Sequence, residues 1–179
     1  MTAHVAVTAV GLDRPGIVAA VTGVLLEHGG NLEDTAMTRL GGHFAMVMVV
    51  AVPGDESATA LEDALARETS ALGLSVTVRA IEDATGASAE GSSWALSVHG
   101  ADRPGIVHRV ATIVASHGAN IVDLATRRVT TDAGAGYVVV LELELPSSAD
   151  AVRLGEALDA LAAELGVDVH LRADDADVF

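Results

Sequence analysis

A chain of 179 residues without a single cysteine excludes disulfides, thiolate metal sites and cysteine nucleophiles. Its formal charge of −15 repels phosphate backbones, so direct nucleic-acid binding is not expected. Half of the residues are hydrophobic but only two Phe, one Tyr and one Trp occur, so any core must be built from Val, Leu, Ile and Ala.

The first residues lack the basic and apolar regions of a signal peptide. The longest apolar run, Phe44 to Val52, is too short to span a bilayer. A soluble cytoplasmic protein with no membrane partner is expected.

Ala3–Val10 alternates apolar with small or polar residues and reads as a strand. Gly11–Asp13 breaks it. Asp13 suits a helix N-cap and Pro15 the first helical turn. Ile17, Val18, Val21, Val24 and Leu25 then fall on one helical face, and His28-Gly29-Gly30 closes the helix. Asn31–Leu40 reads as a strand, Gly41-Gly42 as a hairpin turn, and Phe44–Val52 as an apolar strand. After the turn at Pro53-Gly54-Asp55, a second helix begins at Ser57 and closes at Gly73. Leu74–Ile81 makes a fourth strand.

The polar stretch 83–92 reads as a linker, after which the pattern returns. Trp94–His99 is a strand, Pro104–His117 a helix, Asn120–Val129 a strand, Thr130–Gly136 a longer hairpin loop with four inserted residues, and Tyr137–Leu145 a strand. Ser147–Gly166 is a helix and Val167–Arg172 the last strand. Residues 173–179 form an acidic tail, expected to be mobile.

The two halves share more than their pattern. Gly11-Leu12-Asp13-Arg14-Pro15-Gly16-Ile17-Val18 returns as Gly100-Ala101-Asp102-Arg103-Pro104-Gly105-Ile106-Val107, and 12 of 24 positions are identical between residues 11–34 and 100–123. Such density points to duplication of a whole structural unit. The expected organisation is domain 1 over residues 1–82 and domain 2 over 93–172. Each is an α+β, ferredoxin-like β-α-β-β-α-β unit: an antiparallel four-stranded sheet, order 4-1-3-2, with two helices on one face. Strands rich in Val on both faces suggest that the open face or an edge is covered by a partner domain.

Strand, Asp-Arg-Pro-Gly-Ile-Val, a helix ending in His-Gly, then Asn: this arrangement, present twice, resembles the ACT domain, a small module that binds amino acids and related effectors. With nearly the whole chain covered, the sequence resembles stand-alone double-ACT regulators of the glycine cleavage system repressor type. The resemblance implies an effector site where two modules meet. It would involve Gly11, Leu12, Asp13 and Gly16, with Gly100, Ala101, Asp102 and Gly105, and the post-helix Asn31 and Asn120. Serine-binding members often carry Asn where this chain has Asp13 and Asp102.

The chemistry of these residues suits a free amino acid. A helix start favours a carboxylate, Asp accepts from an ammonium, Asn both donates and accepts, and Gly admits close backbone approach. Simpler readings stand beside these. Asp13 and Asp102 either cap their helices only or also touch a ligand. Asn31 and Asn120 either hold a turn or touch a ligand. Arg14 and Arg103 read as surface ion-pairing residues or as effector-carboxylate ligands. Arg39 and Arg128 read as solvated strand charges or partner contacts. His28 and His117 read as helix-dipole residues rather than metal ligands. Glu142 and Glu144 share a strand face turned to solvent or a partner.

No catalytic motif or zinc spacing occurs, and neither an enzyme nor a cofactor is expected. The expected function is regulation: an amino-acid effector, glycine or another, modulates a protein partner that is a transcription factor or an enzyme. Homodimer formation is one way for modules to meet. The alternative is a ligand-free interaction module or a regulatory subunit of a metabolic enzyme.

Overall fold

The computed structural model describes residues 2–54, 57–82, 91–101, 103–131 and 134–174. Asp102, most of the linker reading (83–90) and most of the tail reading (175–179) lie outside the described residues. The chain forms two compact units.

The first unit runs β1 (Thr2–Leu12), α1 (Ile17–Glu27), β2 (Asn31–Leu40), β3 (His43–Pro53), α2 (Ala58–Thr69) and β4 (Ser75–Ile81). The second runs β5 (Gly91–Gly100), α3 (Ile106–Ser116), β6 (Asn120–Thr131), β7 (Gly134–Pro146), α4 (Ala151–Leu165) and β8 (Asp168–Ala173). Each is a four-stranded antiparallel sheet, ordered β2-β3-β1-β4 and β6-β7-β5-β8, the order expected from the sequence.

Alternation decides what each strand buries. Val5, Val7 and Ala9 of β1 lie beside Val50, Met48 and Met46 of β3, and all six are buried. They form one core with Ile17, Val21, Val24 and Leu25 of α1 and Leu61, Ala64 and Leu65 of α2. The second core repeats the plan with Leu96 and Val98, Leu141 and Leu143, Ile106 and Val110, and Leu154 and Leu158. Burying each Val, Leu, Ile or Met among them stabilises its unit by roughly 1.5–3 kcal/mol.

Positive-φ glycines sit where the chain must reverse. Gly41 and Gly42 (φ 57° and 81°) form the tight β2–β3 turn, and Gly29 (φ 69°) follows the His28 C-cap of α1. In the second unit His117 caps α3, and its Nδ1 lies 2.9 Å from the Ile113 carbonyl, a helix C-terminal role. α2 ends at Thr69 and passes through a 3-10 turn, Ser70–Leu72, before Gly73 (φ 68°) closes it.

Several boundaries differ from the sequence reading, and three of the differences have a clear physical cause. The four inserted residues do not lengthen the β6–β7 loop: they extend both strands, with Thr131 opposite Gly134, because two residues added to each arm preserve the register. β5 begins at Gly91 rather than Trp94, since Gly91 and Ser92 pair with Pro146 and Leu145. α4 begins at Ala151 rather than Ser147. There the Asp150 carboxylate accepts from the Val152 and Arg153 amides, a stronger helix start than any at Ser147.

The two edges of the first sheet are treated differently. β4 is short, and Glu62 of α2 accepts the Val78 amide at 2.6 Å. β2 is ten residues long, is exposed throughout, and carries a bulge between Leu32 and Asp34. Met37 and Leu40 are 58% and 70% exposed. A long, uncovered, partly apolar edge is a template for strand addition.

Candidate functional site

The repeated loop joins β1 to α1 at the same end of the sheet as the β2–β3 turn. Leu12 pairs with His43, and the Asp13 amide donates to the Gly42 carbonyl at 2.9 Å. Gly11 is small for a packing reason. A Cβ there would stand 2.7 Å from Leu74 Cδ2 and 2.9 Å from the Gly73 carbonyl. Gly100 is more confined: its Cβ would meet Val167 Cγ1 at 2.6 Å and Val167 Cα at 3.3 Å.

Asp13 does not cap α1. The N-cap is Gly16, with φ 93°, and no side chain caps the helix. Pro15 therefore precedes the cap instead of occupying the first turn. The Asp13 carboxylate is drawn to Arg39 of β2 instead, at 3.1 Å. That pair ties the loop to the edge strand, and it explains Arg39 better than solvation does. Both side chains are partly exposed, so the pair contributes about 0–1 kcal/mol.

Gly16 and Gly105 adopt the same geometry (φ 93° and 94°), and the space a Cβ would take at either is open. The first turns of α1 and α3 close with Ala20 to Gly16 and Arg109 to Gly105, leaving the amides ahead of them without helical partners. Gly16, Ile17 and Val18, and likewise Gly105, Ile106 and Val107, thus offer donors at a positive helix end. Pro15, Gly16, Pro104 and Gly105 are exposed.

Asn31 and Asn120 lie elsewhere. Asn31 pairs with Ala51, which pairs with His4. Eight residues of β1 separate that row from Leu12, roughly 26 Å at about 3.3 Å per residue. Asn120 sits seven residues from Gly100 through Glu144 and Ser93, roughly 23 Å. Within one unit the structure gathers Gly11, Leu12, Asp13 and Gly16 but not Asn31. It gathers Gly100, Ala101 and Gly105 but not Asn120.

The second unit secures its loop in its own way. Arg103 donates to the Leu165 carbonyl at 3.0 Å, a cation on the C-terminus of α4 rather than a surface ion pair. Arg109 binds Glu164 through both carboxylate oxygens. Hydrogen bonding from Arg109, and then its charge, holds the Glu164 carboxyl below its ordinary value of 4.5. This contribution is complete above pH 4.5 and is lost as pH falls through the lower folded value. Glu164→Gln is therefore expected to lower the urea midpoint at pH 7, with the gap to the parent closing in strong acid.

Among the described residues no three His, Asp or Glu side chains are grouped to hold a metal ion, and no helix is long and apolar enough to cross a membrane.

Family models for the ACT domain match residues 3–79 and residues 94–166. The chain belongs to the ACT-domain family, with two ACT domains in tandem. It is 29% identical to the glycine cleavage system transcriptional repressor of Escherichia coli (strain K12) over 165 residues, 90% of this chain and 85% of that one. A UPF0237 protein of Methanopyrus kandleri is 45% identical over 74 residues, 41% of this chain and 82% of its own. The crystal structure of an unknown protein from Galdieria sulphuraria superposes with a TM-score of 0.81 at 27% identity, covering 97% of this chain and 99% of that one.

The sequence pattern locates the repeated loops between the first strand and first helix of each unit, but not what Asp13, Arg103 and Arg109 bind. The signal for Arg39 was present in the sequence: strand pairing through Gly41-Gly42 returns Arg39 to the loop end of the sheet, where Asp13 waits.

Proposed function

We propose that this tandem ACT protein is a regulator that binds a free amino acid at its repeated loops and passes the signal to a protein partner. The observation that carries the reading is the glycine-opened helix start at Gly16 and at Gly105, whose first amides have no helical partner; the first loop is tied to the exposed edge strand β2 by the Asp13–Arg39 pair. A ligand carboxylate fits those amides. Its ammonium fits the Asp13 carboxylate, shared with Arg39, or Asp102 in the second unit.

Asn31 joins such a site only from another module. β1 and β2 run in the same direction, so Asn31 and the loop lie at opposite ends of β2. Antiparallel pairing of β2 with the β2 of a second chain sets the loop of one against the Asn31 of the other. An effector in that junction stabilises the paired state, and only such differential binding transmits a signal. The likeness to a transcriptional repressor supports gene control as the output. The −15 charge favours a route through a protein partner over direct DNA contact.

Isothermal titration with the amino acids, glycine first, tests the proposal. Binding with a raised melting temperature is expected: a ligand at 100 times its Kd contributes about 2.7 kcal/mol. Asp13→Asn should weaken binding at the first loop. No heat and no thermal shift with any amino acid would instead support the second reading, a ligand-free interaction module. The Asp13–Arg39 pair favours that reading, because it satisfies the carboxylate without an effector.

A further inference from the structure

The face of the second sheet turned away from α3 and α4 carries groups that the fold does not require. Leu96 and Val98 point to the core, so Ala95, Ser97 and His99 of β5 point away from it. On β8, Val169 and Leu171 pack on the core, leaving Asp168, His170 and Arg172 on the outer face. The register places Arg172 beside Ala95, His170 beside Ser97, and Asp168 beside His99. Ala95, Leu96, Ser97, Val140, His170 and Arg172 line a cavity of about 410 Å³. The His99 and His170 rings lie 6.3 Å apart.

The duplication supplies an internal control. The corresponding rows of the first sheet pair Ala6 with Arg79, Thr8 with Thr77, and Val10 with Ser75. That sheet has the same order with Thr77 where the second has His170, and Val10 where it has His99. The imidazoles are therefore not demanded by the fold. Among the described residues Arg172 and His170 make no ion pair, although the chain carries 25 acids.

We infer that this cavity binds a small monocarboxylate. Arg172, Ser97 and His170 line the cavity together and supply donors for a carboxylate, to which a guanidinium offers two parallel N–H groups. Ala95 and Val140 form an apolar floor for a short aliphatic body. Glu142, on β7 beside Ala95, and Asp168 flank the donors and repel a second negative charge. That arrangement selects a monoanion over a phosphate dianion. The site lies on the opposite face of the sheet from the helices, and it stands whether or not the loops bind an effector.

The test follows the His99 and His170 imidazole resonances of the full chain by NMR during titration with sodium propionate, with sodium phosphate and sodium chloride in parallel at matched ionic strength. Saturable shifts with propionate only are expected. Arg172→Gln should weaken binding about tenfold, and Ser97→Ala by a smaller factor. Both positions leave the core untouched, so the variants should fold. No saturable shift with propionate, tighter binding of phosphate, or unchanged propionate affinity in Arg172→Gln would each overturn the inference.

Discussion

Leu61→Ala should cost the first unit about 2–5 kcal/mol, and Leu158→Ala should do the same to the second. Both side chains are fully buried, each on the second helix of its unit, in cores that contain almost no aromatic residue to repack into the hole. Small units of this size have only modest stability to lose. Urea unfolding followed by circular dichroism provides the measurement. Leu26→Ala is the control: Leu26 is 76% exposed on α1, and its loss should change stability by less than about 0.5 kcal/mol. Equal effects from Leu61 and Leu26 would contradict the burial pattern that orients the helices.

Gly100→Ala should destabilise the second unit by about 1–3 kcal/mol through overpacking. The added methyl collides with Val167 Cγ1, and the Val167 backbone behind it cannot swing aside. Val167→Ala removes the first collision but leaves the Cβ at 3.1 Å, so the double variant should recover part of the loss and not all of it. A double-mutant cycle measures that coupling. Additive costs would show that the β5 end and the turn before β8 are not packed as described.

The fold was legible because its signals were redundant. Alternation in Ala3–Val10, the helical spacing from Ile17 to Leu25 and the Gly41-Gly42 turn each point to one element, and the second half repeats the message. The helix start was misread for a physical reason. An Asp three residues ahead of Gly16 has the chemistry of a cap, but the chain reaches α1 through a left-handed glycine, and Arg39 offers the carboxylate a full positive charge instead. The inserted residues around 130–136 look like loop because Gly and Asp are common there, yet pairing continues to Thr131 and Gly134. Arg103 and Arg109 depend on contacts about 55 to 62 residues away, which no local pattern encodes. His99 and His170 were legible only by laying the two registers over each other, position by position.

Duplication also sets the valence of this molecule. Each copy of the unit brings one long strand with an open hydrogen-bonding edge, β2 with ten residues and β6 with twelve. Two such edges would give the chain two places for strand addition. Bivalent monomers either close on each other as a pair, with every edge consumed, or add end to end without limit. A β2 edge set against a β6 edge would leave rungs unpaired, so the unequal lengths favour matching like with like. The extra rungs at the tip of β6 would then count twice in such a pair, so a four-residue insertion would also specify which edge meets which.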